Sequence, residues 1–155
     1  SNKLKSRKLI HTLTSDLVYK LKFKIGKVKK PKLTLITATG PVLSRNVSYT
    51  KKYLDFLEFN LDNKNEKIVF VVFQKGEDEF IFDLLKKKFE NIKMIIPESK
   101  DDIEKLYNNS KEVIGMRYHS LILADIFKIS FKGFSYDDKV KDLCKKNKML
   151  FTSAL

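Results

Sequence analysis

The sequence predicts a Rossmann-like α/β domain: a doubly wound parallel sheet of about five strands with helices on both sides. Three observations predict it. Apolar runs of strand length alternate with stretches of helical spacing, turn residues separate them, and neither a repeat nor a Gly/Ser-rich linker divides the chain. At 155 residues the chain can withdraw about two thirds of its unfolded surface from water, enough for a core without disulfide or metal staples.

Residues 1–30 form a basic arm or interlobe segment, with lysines at 3, 5, 8, 20, 22, 24, 27, 29 and 30. Residues 31–155 form the domain. Lys32 to Thr39 (KLTLITAT) reads as the first strand, stopped by Gly40-Pro41. Tyr49, Tyr53, Leu57 and Leu61 recur every four residues, with Leu54 beside them, as one stripe of a helix requires. Lys67 to Phe73 (KIVFVVF) is nearly unbroken apolar sequence, the mark of a strand covered on both faces. Phe80, Ile81, Leu84, Leu85 and Phe89 define the next helix. Glu77, Asp78 and Glu79 lie in its first turn, where the helix dipole favours anions.

Ile92 to Ile96 (IKMII) is a third strand closed by Pro97. Ser99 and Asp102 make an approximate capping box for a short helix through Ile103, Leu106 and Tyr107. Glu112 to Met116 is a brief fourth strand, followed by an apolar helix from Tyr118 to Phe127. Ile129 to Phe134 is the fifth strand. Asp137 to Asn147 is the last helix and turns Val140, Leu143 and Cys144 inward.

Composition narrows the chemistry. One cysteine cannot form an internal disulfide or a structural zinc site, so a reducing compartment and no metal are expected. No apolar run approaches the roughly 20 residues that cross a bilayer, so a soluble chain is expected. The net charge is +13 and the pI near 9.7, which suggests a polyanion partner. Yet only Arg7, Arg45 and Arg117 are arginines; the other 29 of the 32 cations are lysines. Readers of nucleic acid favour the planar guanidinium fork. The lysine excess therefore reads as a solvated surface, and no nucleic-acid partner is expected. Fingerprints of the GxGxxG, GxxxxGK[ST], HExxH and GxSxG kinds are absent.

Open parallel sheets bind ligands beyond the carboxyl ends of their strands. Two such loops hold unusual content: Gly115-Met116-Arg117-Tyr118-His119-Ser120, and Ser135-Tyr136-Asp137-Asp138-Lys139. Arg117 and His119 stand at the start of an apolar helix, where free N–H groups and the dipole attract an anion. An arginine fork grips a carboxylate or phosphate through two parallel bonds. His119 is one of two histidines, and beside Arg117 and a positive helix end it should be neutral when the site is empty. Lys139 completes a cationic trio facing one crevice. Bland readings compete: either motif residue can cap a helix or pair with a carboxylate, and Asp78, Asp137 and Asp138 are most simply N-terminal helix acids. Cys144 reads as a small buried apolar group, and His11 as a surface residue of the arm.

The stretch Val113-Ile114-Gly115-Met116-Arg117-Tyr118-His119-Ser120-Leu121-Ile122-Leu123-Ala124, followed by Phe134-Ser135-Tyr136-Asp137-Asp138-Lys139-Val140, resembles the C-terminal signature of the polysaccharide pyruvyl transferases. Gln74 to Glu79 and the Ser15-Asp16 region agree more weakly. The resemblance implies the C-terminal lobe of a two-lobed, glycosyltransferase B-like enzyme. Such an enzyme moves the enolpyruvyl unit of phosphoenolpyruvate onto a sugar and leaves a pyruvate ketal on a cell-envelope polysaccharide. It further implies that Arg117 and His119 contact the donor, that Lys139 completes the anionic pocket, and that Gly115, Tyr118, Ser120 and Tyr136 line it. A further arginine of the family is assigned to Arg45.

No cofactor beyond the donor is implied. The implied partners are a sugar or lipid-linked saccharide acceptor and an N-terminal lobe missing here, with a cytoplasmic location, free or at the inner face of the membrane. Tyr118 stands where an aliphatic residue is usual and Lys128 where proline often precedes the next strand. Members are about twice this length, roughly two domains. Two alternatives stay open: a nucleotide-sugar glycosyltransferase lobe, and a non-catalytic module binding anions or nucleic acid.

Overall fold

The computed structural model describes residues 18, 20–26, 28–61 and 67–155. His11 and the Ser15-Asp16 segment lie outside them. Six parallel strands form one sheet: β1 (Leu33–Thr37), β2 (Lys67–Val71), β3 (Lys93–Ile95), β4 (Ser110–Gly115), β5 (Ser130–Ser135) and β6 (Phe151–Ser153). Their spatial order is β3-β2-β1-β4-β5-β6. The chain builds outward from β1 through β2 to β3, then returns to the other side of β1 with β4. The strand order reverses between β1 and β4, where a doubly wound sheet opens a crevice at its carboxyl edge.

Alternation along the strands sends successive side chains to opposite faces. Leu35, Val69, Val113 and Phe131 pack on one face under α4 (Lys100–Asn108), α5 (Tyr118–Ile126) and α6 (Asp138–Lys146). Ile36, Phe70, Ile114 and Phe134 pack on the other, under α2 (Val47–Asn60) and α3 (Phe82–Lys88). The predicted stripes of two helices are buried, with Tyr53 and Leu57 in α2 and Ile103, Leu106 and Tyr107 in α4. Of the third, Ile81, Leu85 and Phe89 are buried while Phe80 and Leu84 are exposed, because α3 covers the sheet with one side only. The capping box forms, with Ser99 Oγ accepting the Asp102 N–H at 3.1 Å and Asp102 accepting the Glu98 N–H at 2.9 Å.

Two elements were not legible in advance. Gly40-Pro41 does end β1, but it also begins a short helix, α1 (Gly40–Arg45), because proline in a first turn gives up an N–H that would be unpaired anyway. The sixth strand, β6, is three residues long and pairs along one edge only, too short for an alternation to register. Helices α5 and α6 both end in a left-handed lysine, Lys128 at φ 56° and Lys148 at φ 55°. The next N–H in each case returns to a carbonyl five residues back, Ile129 to Ala124 and Met149 to Cys144, both at 2.8 Å. This is the Schellman closure. Proline, fixed near φ −65°, cannot stand at Lys128 in this conformation. Among the described residues, no helix is long and apolar enough to cross a membrane.

Candidate active site

The carboxyl ends of the two central strands are packed tightly against each other at one pair of residues. Thr37 closes β1 opposite Gly115, which closes β4. A Cβ on Gly115 would collide with the Thr37 side chain and come within 2.9 Å of its carbonyl oxygen. Only glycine lets the Thr37 hydroxyl lie over that position. From there the hydroxyl shares a hydrogen bond with Ser120 Oγ at 2.9 Å, and Ser120 Oγ bonds the Arg117 carbonyl at 2.6 Å. Two buried phenols fasten the same turn from either face. Tyr53 donates to the Thr37 carbonyl at 2.7 Å, and Tyr107 donates to the Ser120 carbonyl at 2.9 Å. Burial pushes both phenols well above their ordinary range, so they remain neutral donors. The loop carrying Arg117, Tyr118 and His119 is thus held by strand, helix and side chains together.

The Arg117 side chain is 15% exposed and pairs with Asp78, which is fully buried at 0%. Nε donates to Asp78 Oδ2 at 3.1 Å and Nη2 to Oδ1 at 2.6 Å. Nη2 also donates to Gln74 Oε1 at 3.0 Å. Two expectations change here. Asp78 caps no helix; it is the buried counter-ion of the motif arginine. The forked edge of Arg117, expected to grip an anion through two parallel bonds, is already occupied, and Nη1 is the nitrogen left over. Because removing one member of a buried ion pair costs about 3–5 kcal/mol, an Arg117→Ala substitution would report on folding as much as on ligand.

His119 is half-buried at the first turn of α5. Its pKa lies below the ordinary imidazole value because burial, then Arg117, then Lys139 each oppose the charged form. The direction is that expected for a neutral imidazole, with burial as the largest cause. Lys139 is exposed; its backbone N–H is bound by Asp137 Oδ1 at 3.1 Å, so Asp137 caps α6 as a helix acid should. Arg117 and Lys139 both oppose the charged form of the imidazole. Tyr118 lies edge-on to His119 at 6.0 Å between ring centroids and rests on the core beneath α5. Tyr136 is partly buried on the opposite face, its phenol raised first by burial and then by Asp137, and lowered in part by nearby Thr39 and Arg117. Thr39 Oγ1 lies near that phenol but forms no hydrogen bond of ordinary geometry.

Ser120 is buried and faces the Thr37 hydroxyl rather than open space, and Gly115 acts through the space it leaves. Arg45 is exposed in the last turn of α1, with no hydrogen bond or ion pair to the cluster. Cys144 is buried in α6 and its thiol is pushed up to about 11, chiefly by burial, as suits a packing group. Sequence reasoning missed Thr37, Gly40 and the role of Asp78. The only signal for them was position, at the carboxyl ends of β1 and β2, where this fold brings loops together.

The family description Polysaccharide pyruvyl transferase matches residues 8–138 of the chain. No curated protein matches it.

Proposed function

This chain belongs to the polysaccharide pyruvyl transferase family, and from that premise we propose that it is the donor-binding lobe of a ketal-forming transferase using phosphoenolpyruvate. The acceptor is a free or lipid-linked saccharide offering two hydroxyls, and a second lobe presents it in the cytoplasm. The observation that carries the reading is the half-buried His119 under the joint influence of Arg117 and Lys139 at the switch point of the sheet.

In the proposed reaction, imidazolium at His119 gives its proton to the donor's methylene carbon, which becomes a methyl group. The adjacent carbon develops oxocarbenium character, and one sugar hydroxyl adds to it with loss of its proton. A second hydroxyl then adds at the same carbon as the C–O bond to phosphate breaks, its proton leaving with the phosphate, which gives a ketal and inorganic phosphate. No oxidant, metal or further cofactor enters this balance. The residues contribute electrostatics. Arg117 Nη1, the Lys139 ammonium and the free N–H groups at the start of α5 favour the donor's negative charges.

In the empty site burial, and after it Arg117 and Lys139, favour the neutral imidazole, which cannot act as an acid. The donor's negative charge offsets them, so binding should raise the imidazole pKa and load the proton only when there is something to protonate. NMR titration of the His119 ring with and without phosphoenolpyruvate tests this. The expected result is an upward move of the midpoint; an unchanged midpoint discards the acid role.

A further inference from the structure

We infer that Asp78 is the positioning residue of this site: its buried carboxylate holds one edge of the Arg117 guanidinium so that Nη1 alone is aimed outward. The inference rests on the reading above that Arg117 faces the donor. Asp78 never touches that donor; it acts through the arginine.

Four donors converge on this one carboxylate. Besides Nε and Nη2 of Arg117, the Gly40 N–H donates to Oδ1 at 2.9 Å and the Gln74 N–H to Oδ2 at 3.4 Å. The donors come from the loops after β1, β2 and β4, the three central strands of the crevice. The loop bearing Asp78 cannot drift, because Gly40 approaches it so closely that a Cβ there would overlap the Glu77 carbonyl. Arg117 has five N–H donors, of which Nε, Nη2 and their partners fix the plane of the group. The unbonded Nη1 edge then has one direction. A buried pair placed only for stability is often replaceable by apolar side chains without loss. This pair lies at the crevice, its aspartate is fully buried, and its arginine side chain keeps 15% of its surface exposed.

The test uses the whole chain, nitrogen NMR of the Arg117 side chain, and calorimetric titration with phosphoenolpyruvate. In the wild type, the clamp predicts a slowly exchanging Nε–H and separate Nη signals. Asp78→Asn keeps the shape and an oxygen for the Gly40 N–H but loses the charged edge. It should average the Arg117 signals and weaken phosphoenolpyruvate binding about tenfold, the scale of one charge-assisted hydrogen bond. Tighter binding would mean the carboxylate acts only as a charge opposing the donor, and overturns the inference. Averaged Arg117 signals in the wild type overturn it as well.

Gln74 is exposed, so Gln74→Ala keeps the fold if Asp78→Asn does not. A loss of about threefold is expected there, one weaker contact to the guanidinium being removed; unchanged affinity in a folded Gln74→Ala, with Asp78→Asn unfolded or equally silent, overturns the positioning role. A wild type that binds no phosphoenolpyruvate, with Arg117 signals that stay separate and collapse on Asp78→Asn, removes the donor reading and supports the clamp.

Discussion

The two ends of the sheet carry positive charge in opposite ways. At the amino-terminal ends of β1 and β2, Lys30, Lys32, Lys67 and Lys105 ring a groove of about 670 Å³ against α4, floored by Leu33, Ile95 and Leu106. At the carboxyl ends Arg117 and Lys139 both act on His119, and Arg117 is paired with a buried aspartate. The first end has four exposed lysines around one groove. The second has one charge, that of Arg117, whose direction is fixed by loops from three strands. Exposed lysines keep their hydration and their freedom, so they attract anions without orienting them. The number of lysines draws attention to the groove; shared burial and committed hydrogen bonds single out the crevice.

Glycine substitutions separate the ends most sharply. Gly115→Ala drives a methyl into the Thr37 side chain and backbone, both held by Tyr53 and Ser120. A cost of about 3 kcal/mol is expected for overpacking that cannot relax, or a fall of roughly 10 °C in Tm for a domain of this size. Gly26→Ala, with nothing within 4 Å of the added carbon, should change stability by less than about 0.5 kcal/mol. Thermal unfolding of both variants checks the pair. Equal shifts would mean that the crevice end is no more tightly built than the periphery.

The fold was legible because its signals are local. KIVFVVF and the four-residue spacing of Tyr53 and Leu57 each reflect a face buried along a single element, and β2 and α2 follow from them. The site was legible only in part. Arg117 and His119 stand out by residue type at a helix start, and Lys139, one of 29 lysines, only by its place in the loop before the last helix; both are local features. Asp78 does not stand out. Its place in the sequence is equally that of a helix acid, and its partner is 39 residues away, a relation only the packing of two βα loops creates. Thr37 and Gly40 are invisible for the same reason. The sixth strand escaped because three residues of an edge strand carry too little alternation.

The pH dependence of stability probes the crevice end alone. His119 has a folded pKa below its ordinary 6.5, so between the two values the unfolded chain binds more protons than the folded one. Stability then rises with pH across that window and is fully present above about 6.5. Acidification through this range should weaken the wild type more than His119→Gln, which has nothing to titrate there. Urea midpoints for both proteins at intervals from neutral to mildly acid pH measure the difference. Parallel curves would place the imidazole in water rather than against the two cations.

The smallest effect belongs to the lysine groove, and its smallness carries the comparison. Lys30→Ser combined with Lys67→Ser removes two charges from exposed positions, where each contributes little to stability. Phosphoenolpyruvate affinity should stay within about twofold, since that groove opens beside the amino-terminal ends of β1 and β2 and residual attraction is screened within about 10 Å at ordinary salt. Lys139→Ala removes one charge, also exposed, and should weaken the donor about tenfold because that ammonium acts at the imidazole. Calorimetric titrations of the two variants at the same ionic strength decide between position and number. If two groove lysines mattered as much as the single crevice lysine, anion affinity here would follow total charge, and the ordered cluster around Arg117 would lose its claim to the donor.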